Sequence, residues 1–486
     1  MNKTGVFQRK YSGFSILYIP RFKCYAEGKE VMFMSLMSRD KAFYRSFGLL
    51  IFGLMLEQVA VLSVNLIDNV MIGNYSETSL AAITAINQIQ FIFQYLMTGV
   101  TNGMLSLGSQ YHGNHMDGHL KKIIAAATRL ALLFAAILFL LSCFMPETLM
   151  RLFVGDSPEV VAEGVRYLGI IKFTYPLFAL TSILLSCMRT VETVSISVYV
   201  SCVALIINFC LNYTLIFGHF GAPELGVAGA AVGTLVARIV ELVIVTVYVF
   251  RMDRKLKLKL PDFKTTDPSL TRDYLKLSAP IMFIHGLFAL NTAVQNGILG
   301  HLDTSIMAAY SISSVLFQLL KVAAIGASTA ATILIGQSVG RNDPMEKIRE
   351  YTRTLQILFA ALGIVLGVLY YLLSFPLLSF YTLEPETYDL ARSFLLVQSV
   401  VIVGMSYQMP TMGGLMRGGG NARYQLVVDL IGIWAIALPL SFLGAFLWGW
   451  SPLAVVICMN SDQLFKCVPA FIGCNRYRWV RRLVKD

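Results

Sequence analysis

Long uninterrupted runs of apolar residues alternate with short polar connections from residue 47 to residue 474. Each run has the ~20 residues that a helix needs to cross a hydrocarbon core of ~30 Å. None shows the period-two alternation of a lipid-facing barrel strand. The pattern therefore predicts about twelve membrane-spanning helices, at residues 47–72, 80–108, 121–145, 162–188, 192–217, 227–250, 274–300, 305–338, 350–376, 388–416, 424–447 and 450–474.

The composition agrees with an all-α polytopic membrane protein. Of the 486 residues, 56% are hydrophobic and 14% are charged, whereas an average soluble domain has about 25% charged residues. This balance excludes a disordered chain, a collagen-like chain and an ordinary cytosolic enzyme. No polar stretch is long enough to be a separate soluble domain.

Motifs for enzyme chemistry, a resident metal or a cofactor are missing from the sequence. The eight cysteines contain no CxxC pair, which argues against a zinc site or a disulfide framework. There is no phosphate-binding loop of the GxxxxGKS type, no HExxH and no GxSxG. No sequence motif therefore supports ATP-driven transport or a membrane enzyme. The net charge of +11 lies in short basic blocks between apolar runs, a pattern that does not indicate nucleic-acid binding.

The basic blocks predict the orientation of the chain. They precede span one, follow span twelve and fill the connection at residues 251–273. The opposite side carries only Arg151, Arg166, Arg392 and Lys172. Because Lys and Arg accumulate on the cytoplasmic side, we expect a multi-pass protein of the inner (plasma) membrane with both termini in the cytoplasm.

Residues 1–45 have two interpretations. Their one apolar run, Phe14–Pro20, is too short to span a membrane. No cleavage site composed of small residues follows it, so a secretory signal peptide is not expected. The segment is either a cytoplasmic tail or the product of a start assigned too early, with Met32, Met34 or Met37 as the true start. We expect a chain beginning at Met37 to insert and transport normally; loss of folding or transport would show that the segment is needed.

Residues in the first six spans recur in the last six at an almost constant offset. The matching pairs are Asn69 and Asn296, Gly73 and Gly300, Gly99 and Gly326, Gln110 and Gln337, Gly113 and Gly340, and Arg189 and Arg417. Six spans per half give both halves the same orientation, a parallel repeat typical of secondary transporters. The predicted units are a bundle at 46–250, a basic linker at 251–273, a bundle at 274–475 and a basic tail at 476–486.

Several motifs in both halves resemble those of the multidrug and toxic compound extrusion (MATE) family. They are VNLIDNVMIG at 64–73, LAA at 80–82, NFCLNYTLIFG at 208–218, LGVAGAA at 225–231 and LMRGGGN at 415–421. The resemblance covers roughly residues 45–475. It implies two six-helix bundles arranged as a V, and export of amphipathic, often cationic compounds in exchange for Na+ or H+.

Polar residues of spans one, five and six share one depth. Asp68 lies about 6–8 Å below the end of span one, Asn212 and Asn208 lie on one face of span five, and Thr234 lies ~10 Å into span six. Asn65, three residues before Asp68, is a further candidate. These oxygens suit Na+ or a protonatable carboxylate. The alternative is an aspartate that caps a neighbouring helix, with asparagines that join helices.

The resemblance places the family's first-span aspartate on Asp68 and its fifth-span polar pair on Asn208 and Asn212; Thr234 is a looser match. Some family members have aspartate where Asn212 stands, which leaves the choice between Na+ and H+ open. The repeat places Gln295, Ile436 and Leu440 at the corresponding second-half positions. The predicted cation site therefore belongs to the first bundle. A second-half glutamate found in some relatives is replaced here by Phe288.

Other ionisable residues within the spans are candidates because such groups are costly in a membrane. Glu57 is either a cytoplasmic-side acceptor of a proton or cationic drug, or a carboxylate bonded to neighbouring helices. Arg238 and Glu241, three residues apart, are expected to pair. His285, Lys321 and Asp429 fall near mid-membrane. We expect Lys321 and Asp429 to form a buried ion pair, with a substrate or coupling role as the alternative.

Methionine-rich residues of span ten are weaker candidates for a drug cavity, since methionine repacks easily around varied ligands. They are Met405, Tyr407, Met409, Met412 and Met416. The expected partners are small amphipathic molecules and the lipid bilayer, and a monomer is expected. The alternative functions are a lipid-linked sugar flippase, which would favour a more cationic cavity, and a receptor or channel, which the two-bundle repeat disfavours.

Overall fold

The computed structural model describes residues 37–154, 157–379, 381 and 383–485. The interpretations of Phe14–Pro20, Met32 and Met34 lie outside the described residues. Within these residues, eleven helices are long and apolar enough to cross a membrane, and a pair of helices bent by 49° makes twelve if the pair is counted as one span. This confirms the predicted all-α architecture.

The membrane helices are numbered α1 to α12 in chain order. In the first half they are α1 (Lys41–Gly73), α2 (Glu77–Gly113), α3 (Asp117–Phe144), the bent α4 (Pro158–Ile171 and Thr174–Thr190), α5 (Ser195–Phe217) and α6 (Val227–Met252). In the second half they are α7 (Pro268–Leu302), α8 (Thr304–Gly340), α9 (Met345–Ser379), α10 (Pro385–Met416), α11 (Ala422–Phe446) and α12 (Pro452–Asn475). A short helix at Pro146–Val154, which the apolar pattern did not predict, follows α3.

Local sequence explains where several helices begin or bend. The Asp40 side chain accepts from the backbone N–H groups of Ala42 at 2.9 Å and Phe43 at 3.3 Å, which caps α1. The break in α4 at Lys172 lies four residues before Pro176. A proline ring clashes with the carbonyl four residues earlier and supplies no N–H, so the helix bends there.

The basic connection at 251–273 is packed against the first half. Its Leu256 and Leu258 are 3% and 2% exposed, and Lys121 of α3 lies 3.1 Å from Asp262. At the end of the connection, hydrogen bonds from the Leu270 backbone N–H and from Ser269, together with Lys122, lower the pKa of Asp267 to about 2. The membrane face on which this connection lies is called the basic face below.

The two halves meet closely near the basic face. A Cβ on Gly113 would lie 2.2 Å from the Gln337 carbonyl oxygen, and one on Gly340 would lie 1.9 Å from that of Gln110. Only glycine allows the ends of α2 and α8 to approach so closely. Within the described residues, the hydrogen bonds and ring contacts that join the halves lie between Tyr95 and this face.

The hydrogen bonds between the halves near the basic face follow the internal repeat. Gln110 of the first half donates to the Gly418 carbonyl at 3.0 Å, and Gln337 of the second half donates to the Thr190 carbonyl at 3.2 Å. The C-terminal segment crosses the same place, where the Leu483 backbone N–H donates to Gln110 Oε1 at 2.8 Å. Within the described residues, the halves are therefore joined on the basic side of Tyr95, and the space between them on the opposite side is called the cleft below.

Candidate functional site

Four of the predicted site residues form one hydrogen-bonded chain in the first bundle. Asn212 of α5 donates from Nδ2 to Asp68 Oδ1 of α1 at 2.5 Å and to Asn208 Oδ1 at 3.4 Å. Asn208 Nδ2 in turn donates to Thr234 Oγ1 of α6 at 3.3 Å. The residues predicted to share a depth thus share a network that joins three helices.

The network is buried and contains an unused acceptor. Asn208 is 1% exposed, Asn212 is 0% exposed, and Asp68 is half-buried. The Oδ1 atom of Asn212 has no hydrogen-bond partner in the described part of the chain. Because a buried polar atom without a partner is costly, this oxygen fits a site that receives a cation or a proton donor. The donor set of carboxylate, amide and hydroxyl oxygens is of the hard type that Na+ prefers.

Glycines of α6 allow α5 to come close enough to form the network. A Cβ at Gly229 would lie 2.5 Å from the Leu215 carbonyl oxygen, and one at Gly233 would lie 2.3 Å from Asn212 Oδ1. Any larger side chain at Gly233 would displace the Asn212 amide. The motif at 225–231 therefore contributes to the site through packing as well as through turn formation.

A tyrosine and a small cavity, neither of which was predicted, lie beside the network. Tyr167 of α4, which is 4% exposed, lies beside Thr234 and near Asp68. A cavity of about 20 Å3, roughly the size that one water needs, lies on the other side; its lining includes Ser201, Asn208, Thr234, Arg238 and Glu241. Sequence spacing gave no signal for Tyr167, because its contact depends on how α4 packs against α6.

Asn65 is the predicted member that stands apart. It is half-buried one turn before Asp68, and no hydrogen bond joins it to the network within the described residues. Asn69 instead makes the neighbouring polar contact, accepting from Asn87 Nδ2 of α2 at 3.5 Å.

Charged residues deeper in the first bundle form two ion pairs. Arg238 Nη1 donates to Glu241 Oε2 at 2.6 Å, as expected from their spacing. Glu57 of α1, whose side chain is 5% exposed, is bonded to Arg189 of α4. Glu57 is thus a carboxylate bonded to a neighbouring helix, the second of its two interpretations. Its partner was not predicted, because Arg189 lies just beyond the predicted fourth span at 162–188, whereas the helix continues to Thr190.

The expected Lys321–Asp429 pair is wrong. Asp429 Oδ1 accepts from Lys466 Nζ of α12 at 2.9 Å, and Lys466 also lies 2.9 Å from Asp462. Lys321 lies instead with its Nζ 4.5 Å from the centre of the Phe288 ring. Equal depth along two helices did not produce a contact, because the two side chains project from different faces of their helices.

The methionine-rich part of α10 does not line an open cavity in this conformation. Met412 is 0%, Met416 is 2% and Met405 is 4% exposed, and all three pack in apolar cores of the second half. Met409 is partly buried against the same core, and the Tyr407 hydroxyl donates to Gln356 Oε1 at 2.9 Å. The expectation of a drug cavity at these residues is therefore corrected.

The Glu57–Arg189 pair generates a stability prediction. We expect Glu57→Gln to lower the free energy of unfolding by about 3–5 kcal/mol, because it leaves a buried guanidinium without its carboxylate. The double variant Glu57→Gln with Arg189→Met should recover part of this loss in denaturant unfolding of the purified protein. Wild-type stability in Glu57→Gln together with loss of transport would contradict a structural pair and favour a coupling role.

Comparisons with known proteins agree with this architecture. The model of the MatE family matches residues 54–214 and 280–443, one stretch in each half. The chain is 26% identical over 401 residues to the probable multidrug resistance protein NorM of Agrobacterium fabrum, covering 81% of this chain and 85% of that protein. It is 24% identical over 408 residues to the probable multidrug resistance protein YoeA of Bacillus subtilis, covering 82% and 86% of the two chains.

Similarity to solved structures supports the same fold. The Vibrio cholerae MATE transporter VcmN in its bent form matches with a TM-score of 0.78 and 18% identity, covering 91% of this chain and 98% of that chain. The family model covers most of both six-helix halves, and the chain therefore belongs to the MATE family of multi-pass membrane transporters.

Proposed function

We propose that this transporter exports amphipathic drugs or toxic compounds by antiport and that Asp68 binds the coupling cation, Na+ or H+. The observation that carries the proposal is the buried network of Asp68, Asn212, Asn208 and Thr234 with its unpartnered Asn212 oxygen. The names of the relatives support a multidrug substrate range. MATE proteins are transporters rather than enzymes, and they need no cofactor.

The network can respond to a cation in two ways. For Na+, the Asp68 carboxylate, the side-chain oxygens of Asn208 and Asn212 and the Thr234 hydroxyl provide oxygen ligands. For H+, protonation turns Asp68 from an acceptor into a donor, and the free Asn212 Oδ1 becomes an available acceptor. In both cases the charge of Asp68 is neutralised, and the hydrogen bonding between Asp68 of α1 and Asn212 of α5 changes. Occupancy can therefore alter the packing of the first bundle.

Antiport requires that cation and drug oppose each other. If the cation favours one arrangement of the first bundle and the drug favours another, each weakens binding of the other by the same factor, about 5- to 150-fold for a coupling of 1–3 kcal/mol. With the basic face in the cytoplasm, as the basic connections predict, the cleft opens outward in this structure. An outward-open cleft is the state in which an exporter takes up its coupling cation and releases drug.

A lipid-linked sugar flippase is the second candidate. The observation that favours it is the positive charge of Lys321 and Arg417 in the second half, because neither has a carboxylate within ion-pair distance in the described part of the chain. A flippase would need such groups for a diphosphate. The acidic site at Asp68 has no evident role in that function, so drug antiport is preferred.

We expect Asp68→Asn to abolish gradient-driven export, because the amide keeps the size of the side chain and some hydrogen bonding but loses the charge and the titration. The measurement is counterflow of a fluorescent cation in proteoliposomes, driven separately by a Na+ gradient and by a pH gradient. Asp429→Asn is the matched control, since Lys466 retains Asp462 at 2.9 Å. Export by Asp68→Asn at the wild-type rate would place the coupling site elsewhere, with Glu57 next in line.

We also expect Gly233→Ala to impair coupling, because its new methyl group would displace the Asn212 amide. Overpacking of this kind costs about 1–3 kcal/mol, and the cation concentration for half-maximal export should rise. Gly297→Ala adds the same methyl group where no atom lies within 4 Å and should behave like wild type. An unchanged cation dependence in a well-folded Gly233→Ala protein would argue against the Asn212 geometry.

A further inference from the structure

Five side chains from both halves contact one another where the contact between the halves begins, and we call them the cleft floor. They are Tyr95 and Asn102 of α2, His285 and Phe288 of α7, and Lys321 of α8. Tyr95 lies one turn from Gly99, where a Cβ would be 2.6 Å from the Met282 backbone. The floor therefore lies where the two halves first come into contact below the open cleft.

Three aromatic rings and one amide group form most of the cleft floor. The rings of Tyr95 and His285 are stacked with centres 6.5 Å apart, and those of Tyr95 and Phe288 lie edge to face at 5.8 Å. Asn102 Nδ2 is 3.2 Å from His285 Nε2. Flat rings with nearby hydrogen-bonding groups are suited to bind a planar aromatic molecule.

Lys321 is the unusual member of the cleft floor. Lys321 is half-buried with its ammonium group beside the Phe288 ring, and no carboxylate lies within 4.0 Å of that group in the described part of the chain. Three further cations deep in the spans, Arg189, Arg238 and Lys466, each have a carboxylate partner. A cation–π contact is a weak substitute for a carboxylate, so Lys321 keeps free capacity for an anion.

The repeat explains why Lys321 lacks a partner. The first-half position that corresponds to Lys321 is the neutral Gln94, and the second-half position that corresponds to Glu57 is Ile284. As a result Arg417, the counterpart of Arg189, is also without a carboxylate and bonds only weakly to Thr332 at 3.4 Å. At these two positions the second half carries positive charge without a carboxylate, whereas the first half has the neutral Gln94 and an Arg189 that is paired with Glu57.

We propose that the cleft floor is a substrate subsite for an anionic group, first of all a carboxylate, on an aromatic amphiphile. The site would therefore select zwitterionic compounds in addition to simple cations. Lys321 supplies the charge and up to three N–H donors, Tyr95 and Phe288 contact the ring system, and Asn102 provides a further donor. This inference rests on the proposed drug export and names one substrate class for it.

The test compares two dyes that differ in one group: a rhodamine with a free carboxylate, which is zwitterionic, and its methyl ester, which is a cation. Binding to the purified full-length protein is measured by fluorescence anisotropy. Lys321→Met should weaken binding of the carboxylate dye about 10-fold or more, the value of a lost hydrogen bond to a charged group. Binding of the ester should change by no more than about 2-fold, because the ester has no carboxylate and therefore loses no hydrogen bond to a charged group.

Two variants serve as controls. Lys321→Arg keeps the charge and should retain most of the affinity for the carboxylate dye. Lys172→Met removes a lysine that also lies over a ring, 5.6 Å from the centre of Phe173, but outside the cleft; both dyes should bind it as they bind wild type. Binding of the ester to each variant reports that the protein is folded.

Three results would overturn the inference. Equal losses for both dyes in Lys321→Met would give Lys321 a structural role, and no loss for either dye would remove it from the site. Displacement of both dyes by a polyprenyl diphosphate at lower concentrations than by the dyes themselves would assign the positive charge to a lipid headgroup. Failure of the proposed drug antiport has a different readout from failure of this subsite. It would appear as export of the ester dye that does not depend on an ion gradient, whatever the binding of the carboxylate dye.

Discussion

A charged or polar group within a membrane must find its partner inside the protein, because lipid offers none. This constraint organises the first bundle. Glu57 is bonded to Arg189, Arg238 is bonded to Glu241, and Asp68 accepts from Asn212. Each contact except Arg238–Glu241 joins two helices, so satisfying the polar groups also fixes how the helices are rotated and how closely they pack.

Asp68 differs from the other buried acids because its partner is neutral. An ion pair is complete within the protein, whereas an aspartate held by an amide still carries a net negative charge. A cation can neutralise that charge without first displacing an arginine or lysine. The free Oδ1 of Asn212 makes the network able to receive the cation as well. The same constraint that pairs Glu57 thus leaves Asp68 without a cationic partner, which is why we propose Asp68 as the coupling residue.

The two halves share a backbone plan but differ in charge. Their symmetry is retained at the basic face, where Gln110 and Gln337 make reciprocal hydrogen bonds and paired glycines allow close contact. It is lost inside the bundles, where the first half has an acidic site and the second half has Lys321 and Arg417 without carboxylates. The symmetric contacts join the halves near one face, and the asymmetric interiors place an acidic network in the first half and unpaired positive charge in the described part of the second half.

The sequence by itself determined the twelve spans, the repeat and the group of Asp68, Asn208, Asn212 and Thr234. Hydropathy is a property of consecutive residues, and depth follows from a rise of 1.5 Å per residue, so both can be obtained without knowing how helices pack. The Arg238–Glu241 pair was equally accessible, because three residues along one helix place two side chains on one face.

Only the tertiary structure decided which residues meet across helices. Asp429 pairs with Lys466 rather than Lys321, Glu57 with Arg189, and Met412 packs in a core rather than lining a cavity. Such contacts depend on the rotation of each helix about its axis and on close approaches at glycines such as Gly233. Many side chains share a depth in a bundle of twelve helices, and depth alone cannot select among them.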